Sequence, residues 1–121
     1  MKDNESQEMY LETILKIKER KGNVRAVEIA EELGYSKPSV SRAVGIMKKD
    51  GFIVVGSDGL ITLTAEGKKK AENIFERHEI LTDALVKMGL ESTAAEENAC
   101  RVEHVITEEA FEAIKEYFKN K

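Results

Sequence analysis

Between Glu8 and Leu63 the hydrophobic period switches from helical to extended, and the order of the pieces on either side of the switch leaves few folds open. Apolar residues at Met9, Leu11, Ile14, Leu15 and Ile17 predict a helix that runs to about Lys21 and stops at Gly22-Asn23. Ala26 to Leu33 repeats the pattern, with Val27, Ile29, Ala30 and Leu33 expected inward, and Gly34 follows where helices commonly end in a left-handed residue. Ser36 is placed as an N-cap and Pro38 falls in a first turn, where a missing N–H costs nothing. Val40, Ala43, Val44 and Met47 then form one side of a helix ending near Lys49. After Asp50-Gly51 come the β-branched run Phe52 to Val55, the turn signal Ser57-Asp58-Gly59 and a second short strand, Leu60 to Leu63. Helix, glycine-bearing turn, helix and two strands make a winged helix-turn-helix, expected over residues 1–63.

The rest reads as helix. Thr64 to Gly67 has the pattern of a capped start, and the helix continues to about Met88, closed by Gly89. Two more helices are expected, Thr93 to Val105 and Glu108 to Phe118, the latter capped by Thr107. Residues 64–121 thus form a helical second domain, with the long helix over about 64–88 as the link, and the fold class is mainly α. Met1 to Gln7 is polar and expected to fray.

Net charge is −4, which on its face argues against a nucleic-acid partner. The distribution argues otherwise: residues 1–70 carry net +2 and residues 71–121 carry net −6. A basic front and an acidic back suit one part that meets an anion and one that holds a cation, although acidic helices are also ordinary solvated surfaces. The single cysteine cannot form an internal disulfide, and neither a signal peptide nor an 18-residue apolar run is present, so a cytoplasmic protein is expected.

On a wheel centred on Val40, the residues Pro38, Arg42, Gly45 and Lys49 project away from the core sector, toward what would be a DNA major groove. Arg42 can donate a fork to guanine, and Ser36, Ser39 and Ser41 can reach phosphates or base edges. Gly45 permits close backbone approach, and Lys37, Lys48 and Lys49 neutralise phosphate. Any exposed helix carries such residues, and some winged helices contact only protein, so the order of turn, helix and wing carries the expectation. Farther on, Cys100, Glu103 and His104 stand at i, i+3 and i+4, which sets thiolate, carboxylate and imidazole on one helical face, with Glu96 a turn earlier. A Cys and a His on a helix also serve as a small buried hydrophobe and a satisfied histidine. His78, beside Glu79 and Asp83, completes a second site or is a surface residue with an acidic neighbour. Cys100 with His104 offers a superficial nucleophile and base, but no phosphate loop or oxyanion motif accompanies them, and an enzyme is not expected.

Glu8-Met9-Tyr10-Leu11, Ile29-Ala30-Glu31-Glu32-Leu33, Ser36-Lys37-Pro38-Ser39-Val40-Ser41, Arg77-His78 and Ala99-Cys100-Arg101-Val102-Glu103-His104 together resemble the metal-dependent repressors related to the diphtheria toxin repressor and the manganese transport regulator. The similarity covers nearly the whole chain. It implies a winged-helix domain, a helical dimerisation domain and divalent metal at their junction. The corepressor site of iron-responsive relatives maps to Met9, Cys100, Glu103 and His104. Their ancillary site maps to His78 and Glu96, but its other carboxylate falls at Thr82, for which Asp83 or Glu79 would have to substitute. Glu12 matches a ligand of manganese-type relatives. A chain ending at Lys121 is expected to lack the SH3-like domain of many iron-type members and in that respect to resemble the shorter manganese type.

The resemblance implies a cytoplasmic homodimeric repressor that binds palindromic operator DNA when loaded with Fe(II) or Mn(II) and so controls metal homeostasis. Sulfur donors favour Fe(II), Co(II), Ni(II) or Zn(II) over Mn(II), and cellular abundance would choose Fe(II) among them, with Mn(II) the next expected signal and Co(II), Ni(II) or Zn(II) accepted in vitro. The alternative is a metal-independent winged-helix regulator or protein-interaction module.

Overall fold

The structure, a computed structural model, describes residues 3–119, with side chains from Gln7 onward. Met1, Lys2, Asn120 and Lys121 lie outside the described residues. The chain divides into two compact units between Glu72 and Asn73. Among the described residues there are six helices and one two-stranded sheet.

The N-terminal unit opens with α1 (Asp3–Lys21): of the segment expected to fray, Met1 and Lys2 lie outside the described residues and Asp3 to Gln7 are helical, with Gln7 Nε2 donating to Asp50 Oδ2 at 2.7 Å. Helices α2 (Ala26–Leu33) and α3 (Lys37–Lys49) follow, joined at Gly34, whose φ of 70° is left-handed. Gly34 N–H and Tyr35 N–H both donate to Ala30 O, at 2.9 and 3.1 Å, which ends α2 within one residue. Ser36 Oγ then accepts from Ser39 N–H at 3.3 Å and starts α3. The turn is therefore set by caps on both sides.

The wing is β1 (Ile53–Val55) paired antiparallel with β2 (Ile61–Leu63), in the register Ile53↔Leu63, Val54↔Thr62 and Val55↔Ile61. Each strand starts one residue later than the apolar pattern suggested. Ile61 N–H also donates to Val24 O at 2.8 Å, which draws the α1–α2 connection alongside the sheet. Leu11, Ile14, Ile17, Val24, Ile29, Val40, Met47 and Ile53 are buried together in the core of this unit, one or more from almost every segment. Val27, expected inward, is 43% exposed: Ile29 and Ala30 supply the buried face of this short helix.

Helix α4 (Ala65–Lys87) begins where Thr64 Oγ1 accepts from Gly67 N–H at 3.1 Å and donates to Gly51 O at 2.7 Å. Gly67 is buried, and a Cβ there would overlap the carbonyl oxygen of Phe52. The Lys70 ammonium lies 4.7 Å from the centroid of the Phe52 ring.

The C-terminal unit comprises the rest of α4, α5 (Ser92–Val102) and α6 (Glu108–Phe118). Leu81, Ala99 and Phe111 form its core, with Ile80, Leu85, Ile106 and Ile114 packed against them. Glu91 Oε2 accepts from Ala94 N–H at 3.0 Å and caps α5, and Thr107 Oγ1 accepts from Ala110 N–H at 3.1 Å and caps α6. α5 ends at Val102, three residues before the expected Val105, because the chain must turn through Glu103 to Ile106 to reach the α6 cap. Arg77 spans that turn: its guanidinium donates to Glu103 O at 3.2 Å and to Glu108 Oε2 at 2.6 Å, and lies 5.5 Å from the Phe111 ring centroid.

Candidate functional site

Two sets of donors stand out, one in each unit. In the N-terminal unit Met9 and Glu12 lie three residues apart on α1 and therefore share a face. Met9 is half-buried and its Sδ accepts from the Tyr35 hydroxyl at 3.4 Å. Glu12 is only 4% exposed, with Lys16 Nζ 3.7 Å from its Oε2.

In the C-terminal unit Glu103 is wholly buried where α5 gives way to the turn. One carboxylate oxygen lies 3.0 Å from His78 Nδ1 and the other 3.2 Å from His104 Nε2. The two expected sites therefore meet: His78, assigned from sequence to an ancillary site, reaches the same carboxylate as His104. The imidazoles are themselves 13% and 7% exposed, so the three groups sit largely out of water. A buried carboxylate between two imidazoles is costly without positive charge and hydrogen bonds around it. Nitrogen and carboxylate donors at that spacing fit a divalent first-row metal.

The remaining predicted ligands are less enclosed. Cys100 is exposed on the last turn of α5. Glu96 is also exposed, its carboxylate 3.8 Å from His78 Nε2. His78, Glu79, Thr82, Asp83, Val86 and Glu96 line one open cleft of about 300 Å³. Within it Thr82 Oγ1 donates to His78 O at 2.7 Å, and Asp83 pairs with Lys87 at 3.0 Å. The hydroxyl at Thr82 is thus spent on the helix backbone, and Asp83 already carries a cationic partner.

Ser36, Lys37, Pro38, Ser39, Ser41, Arg42, Lys48 and Lys49 are all exposed on α3 or its cap, opposite buried Val40 and Met47. Ser36 and Ser39 bond to each other through Oγ at 2.9 Å, so their side chains brace the start of the helix as well as facing outward. Gly45, on the same outer side, has open space around it. Ile46 is 48% exposed, an apolar side chain on α3 that the charge pattern does not single out.

Sequence reasoning missed Arg77 and Tyr35 as organisers of the two sets. Arg77 stands in the sequence only as the neighbour of His78 in a motif, and a tyrosine in a helix-helix turn carries no signal of its own.

Residues 4–59 match the family model described as the iron dependent repressor N-terminal DNA binding domain, and residues 64–120 match its metal binding and dimerisation domain. The transcriptional regulator MntR of Escherichia coli is 32% identical over 106 residues, covering 88% of this chain and 68% of that protein. The chain belongs to the DtxR/MntR family of metal-dependent transcriptional repressors. Its DtxR-side relatives include the diphtheria toxin repressor of Corynebacterium diphtheriae, 37% identical over 106 residues, 84% of this chain and 46% of that protein. The chain thus spans about half the length of the diphtheria toxin repressors it matches. A manganese-dependent repressor solved with manganese superposes with a TM-score of 0.86 over 95% of this chain and 53% of its own, and at 23% identity shares the fold. Members of this family are repressors, not enzymes. Among the described residues no helix is long and apolar enough to cross a membrane.

Proposed function

We propose that this chain is a divalent-metal-responsive repressor that binds palindromic operator DNA as a homodimer in the cytoplasm and controls metal homeostasis. The observation that carries the reading is Glu103, wholly buried with His78 and His104 on its two oxygens. Cys100, Glu103, His104, His78 and Glu96 form the donor set of the metal-binding domain, residues 64–121. Met9 and Glu12 are the donors of the DNA-binding domain, residues 1–63. Both sets are assigned to metal by the family resemblance and by their chemistry.

A divalent cation, when bound, supplies the positive charge that lets carboxylates and a thiolate remain ionised in one place. Without it the acidic donors repel one another or take up protons. Glu103 fixes the orientation of both imidazoles, so the bound state selects one arrangement of the turn after α5. Met9 and Glu12 lie on the first helix of the winged unit, so ligation there bears on the position of the recognition helix α3. Arg42 then reads guanine, Ser41 reads base edges, Ser36 and Ser39 meet backbone, and Lys37, Lys48 and Lys49 meet phosphate. Any gain in DNA affinity in the loaded state equals the gain in metal affinity in the DNA complex.

Thioether and thiolate donors favour Fe(II), Co(II), Ni(II) or Zn(II) over the harder Mn(II), and cellular abundance selects Fe(II) among them, with Mn(II) next as the physiological signal. For dimerisation the support is an open apolar groove of about 580 Å³ in the C-terminal unit, lined by Leu81, Leu85, Met88, Ile114, Tyr117 and Phe118 among others.

The test is anaerobic binding to a palindromic promoter fragment with and without Fe(II) or Mn(II). Tight binding only with metal is expected, and equal affinity with and without metal would overturn the reading. Cys100→Ala should weaken activation by Fe(II) while leaving the fold intact.

A further inference from the structure

Tyr35 is the one residue between the cap that ends α2 and the cap that starts α3. Its N–H is committed to Ala30 O at 3.1 Å, and its neighbour Ser36 caps α3 through Ser39. Its backbone therefore has little freedom. The ring packs edge-on against buried Tyr10, with centroids 6.0 Å apart at 68°, and the hydroxyl ends on Met9 Sδ at 3.4 Å. A side chain rooted at the recognition-helix cap thus holds a sulfur on α1, 26 residues earlier in the chain.

We propose that Tyr35 is the positioning residue for the Met9 sulfur: its hydroxyl restrains that donor and sets its strength toward a soft cation. The inference rests on the reading of Met9 as a metal donor. A thioether has two lone pairs. Donation from Tyr35 occupies one and withdraws electron density from the other, which makes the sulfur a weaker donor toward a soft cation. The two demands on the sulfur oppose each other, and the residue that mediates them precedes Ser36, the cap of α3. Phenylalanine preserves the ring against Tyr10 and removes only the hydroxyl. Tyr35→Phe therefore releases the sulfur without opening the core.

The experiment uses the full chain with ¹³C-methyl methionine. In metal-free protein Tyr35→Phe should shift the Met9 methyl resonance, identified by its loss in Met9→Leu, while the other three methionine signals stay in place. In a Co(II) titration Tyr35→Phe should tighten binding by roughly threefold to tenfold, the span expected from one modest hydrogen bond. In a Met9→Leu background the same substitution should leave Co(II) affinity unchanged. An unmoved Met9 resonance, or an equal effect of Tyr35→Phe in both backgrounds, overturns the role of Tyr35 and leaves the metal reading intact. If Met9→Leu alone does not weaken Co(II) binding, Met9 is no ligand, and both the underlying reading at that residue and the inference fail.

Discussion

The N-terminal unit buries aliphatic side chains drawn from almost every one of its segments, with the carboxylate of Glu12, whereas the C-terminal unit buries Ile74, Leu81, Phe111 and three alanines together with Glu103, against which His78 and His104 are held. The first holds itself together by hydrophobic area. The second has a smaller apolar core and an open groove, with a carboxylate where a side chain such as leucine would add stability. The contrast says where regulation can reside: a well-packed unit keeps its shape, and a unit built around a charge depends on what neutralises that charge and on what covers the groove.

The contrast can be broken most severely at Phe111. Phe111→Ala removes the centre of the small core and the face beneath Arg77, with an expected loss of about 3–5 kcal/mol. Amide hydrogen exchange should then show protection lost from α5 and α6 while α1 to α3 keep theirs. A uniform loss along the chain would mean that the units do not differ as argued.

Gly67→Ala attacks the other side. The new methyl meets the Phe52 backbone, which cannot rotate away, and the expected cost is roughly 1–3 kcal/mol or more. Gly45→Ala, with open space around it, is the control: thermal unfolding should be unchanged or raised slightly, while DNA affinity falls because backbone approach is blocked.

A smaller effect is expected at Thr64, whose hydroxyl closes the turn from Gly51 and caps α4. Thr64→Val keeps the shape and loses both bonds, and urea denaturation should report about 1 kcal/mol.

The smallest is a pH effect at Glu91. Hydrogen bonds from Ala94 and Thr93 backbone N–H groups hold its carboxyl below the ordinary value of 4.5. A depressed folded value means that the stabilisation is present above pH 4.5 and is lost as pH falls through the folded value. Glu91→Gln should therefore lower the melting temperature of the C-terminal unit at neutral pH, and the difference from the parent should shrink as the solution is acidified.

Legibility in the sequence follows the same divide. The winged unit was readable because its signals are local: Gly34 and Ser36 announce two caps, and the change of period after Gly51 announces the wing. The last helix was readable for the same reason, with Thr107 as its cap. Val27 was misjudged because an eight-residue helix has room for only a narrow buried stripe, which periodicity alone cannot orient. At the candidate site the donor types were legible, since Cys100, Glu103 and His104 crowd within five residues. Their arrangement was not. The end of α5 at Val102 and the convergence of His78 on Glu103 depend on a contact across 25 residues, which no local pattern encodes.

Arg77 has a bearing on how the C-terminal unit assembles. Its hydrogen bonds run to residues 26 and 31 positions later, and the ring beneath it belongs to the last helix. The cost of ordering that long side chain is offset by partners in the turn at Glu103 and in the first turn of α6. A planar guanidinium can meet a carbonyl, a carboxylate and a ring face at once, whereas a lysine offers a single point charge. One side chain therefore ties α4, the turn and α6 to one another, and a lysine in its place would keep at most one of these contacts.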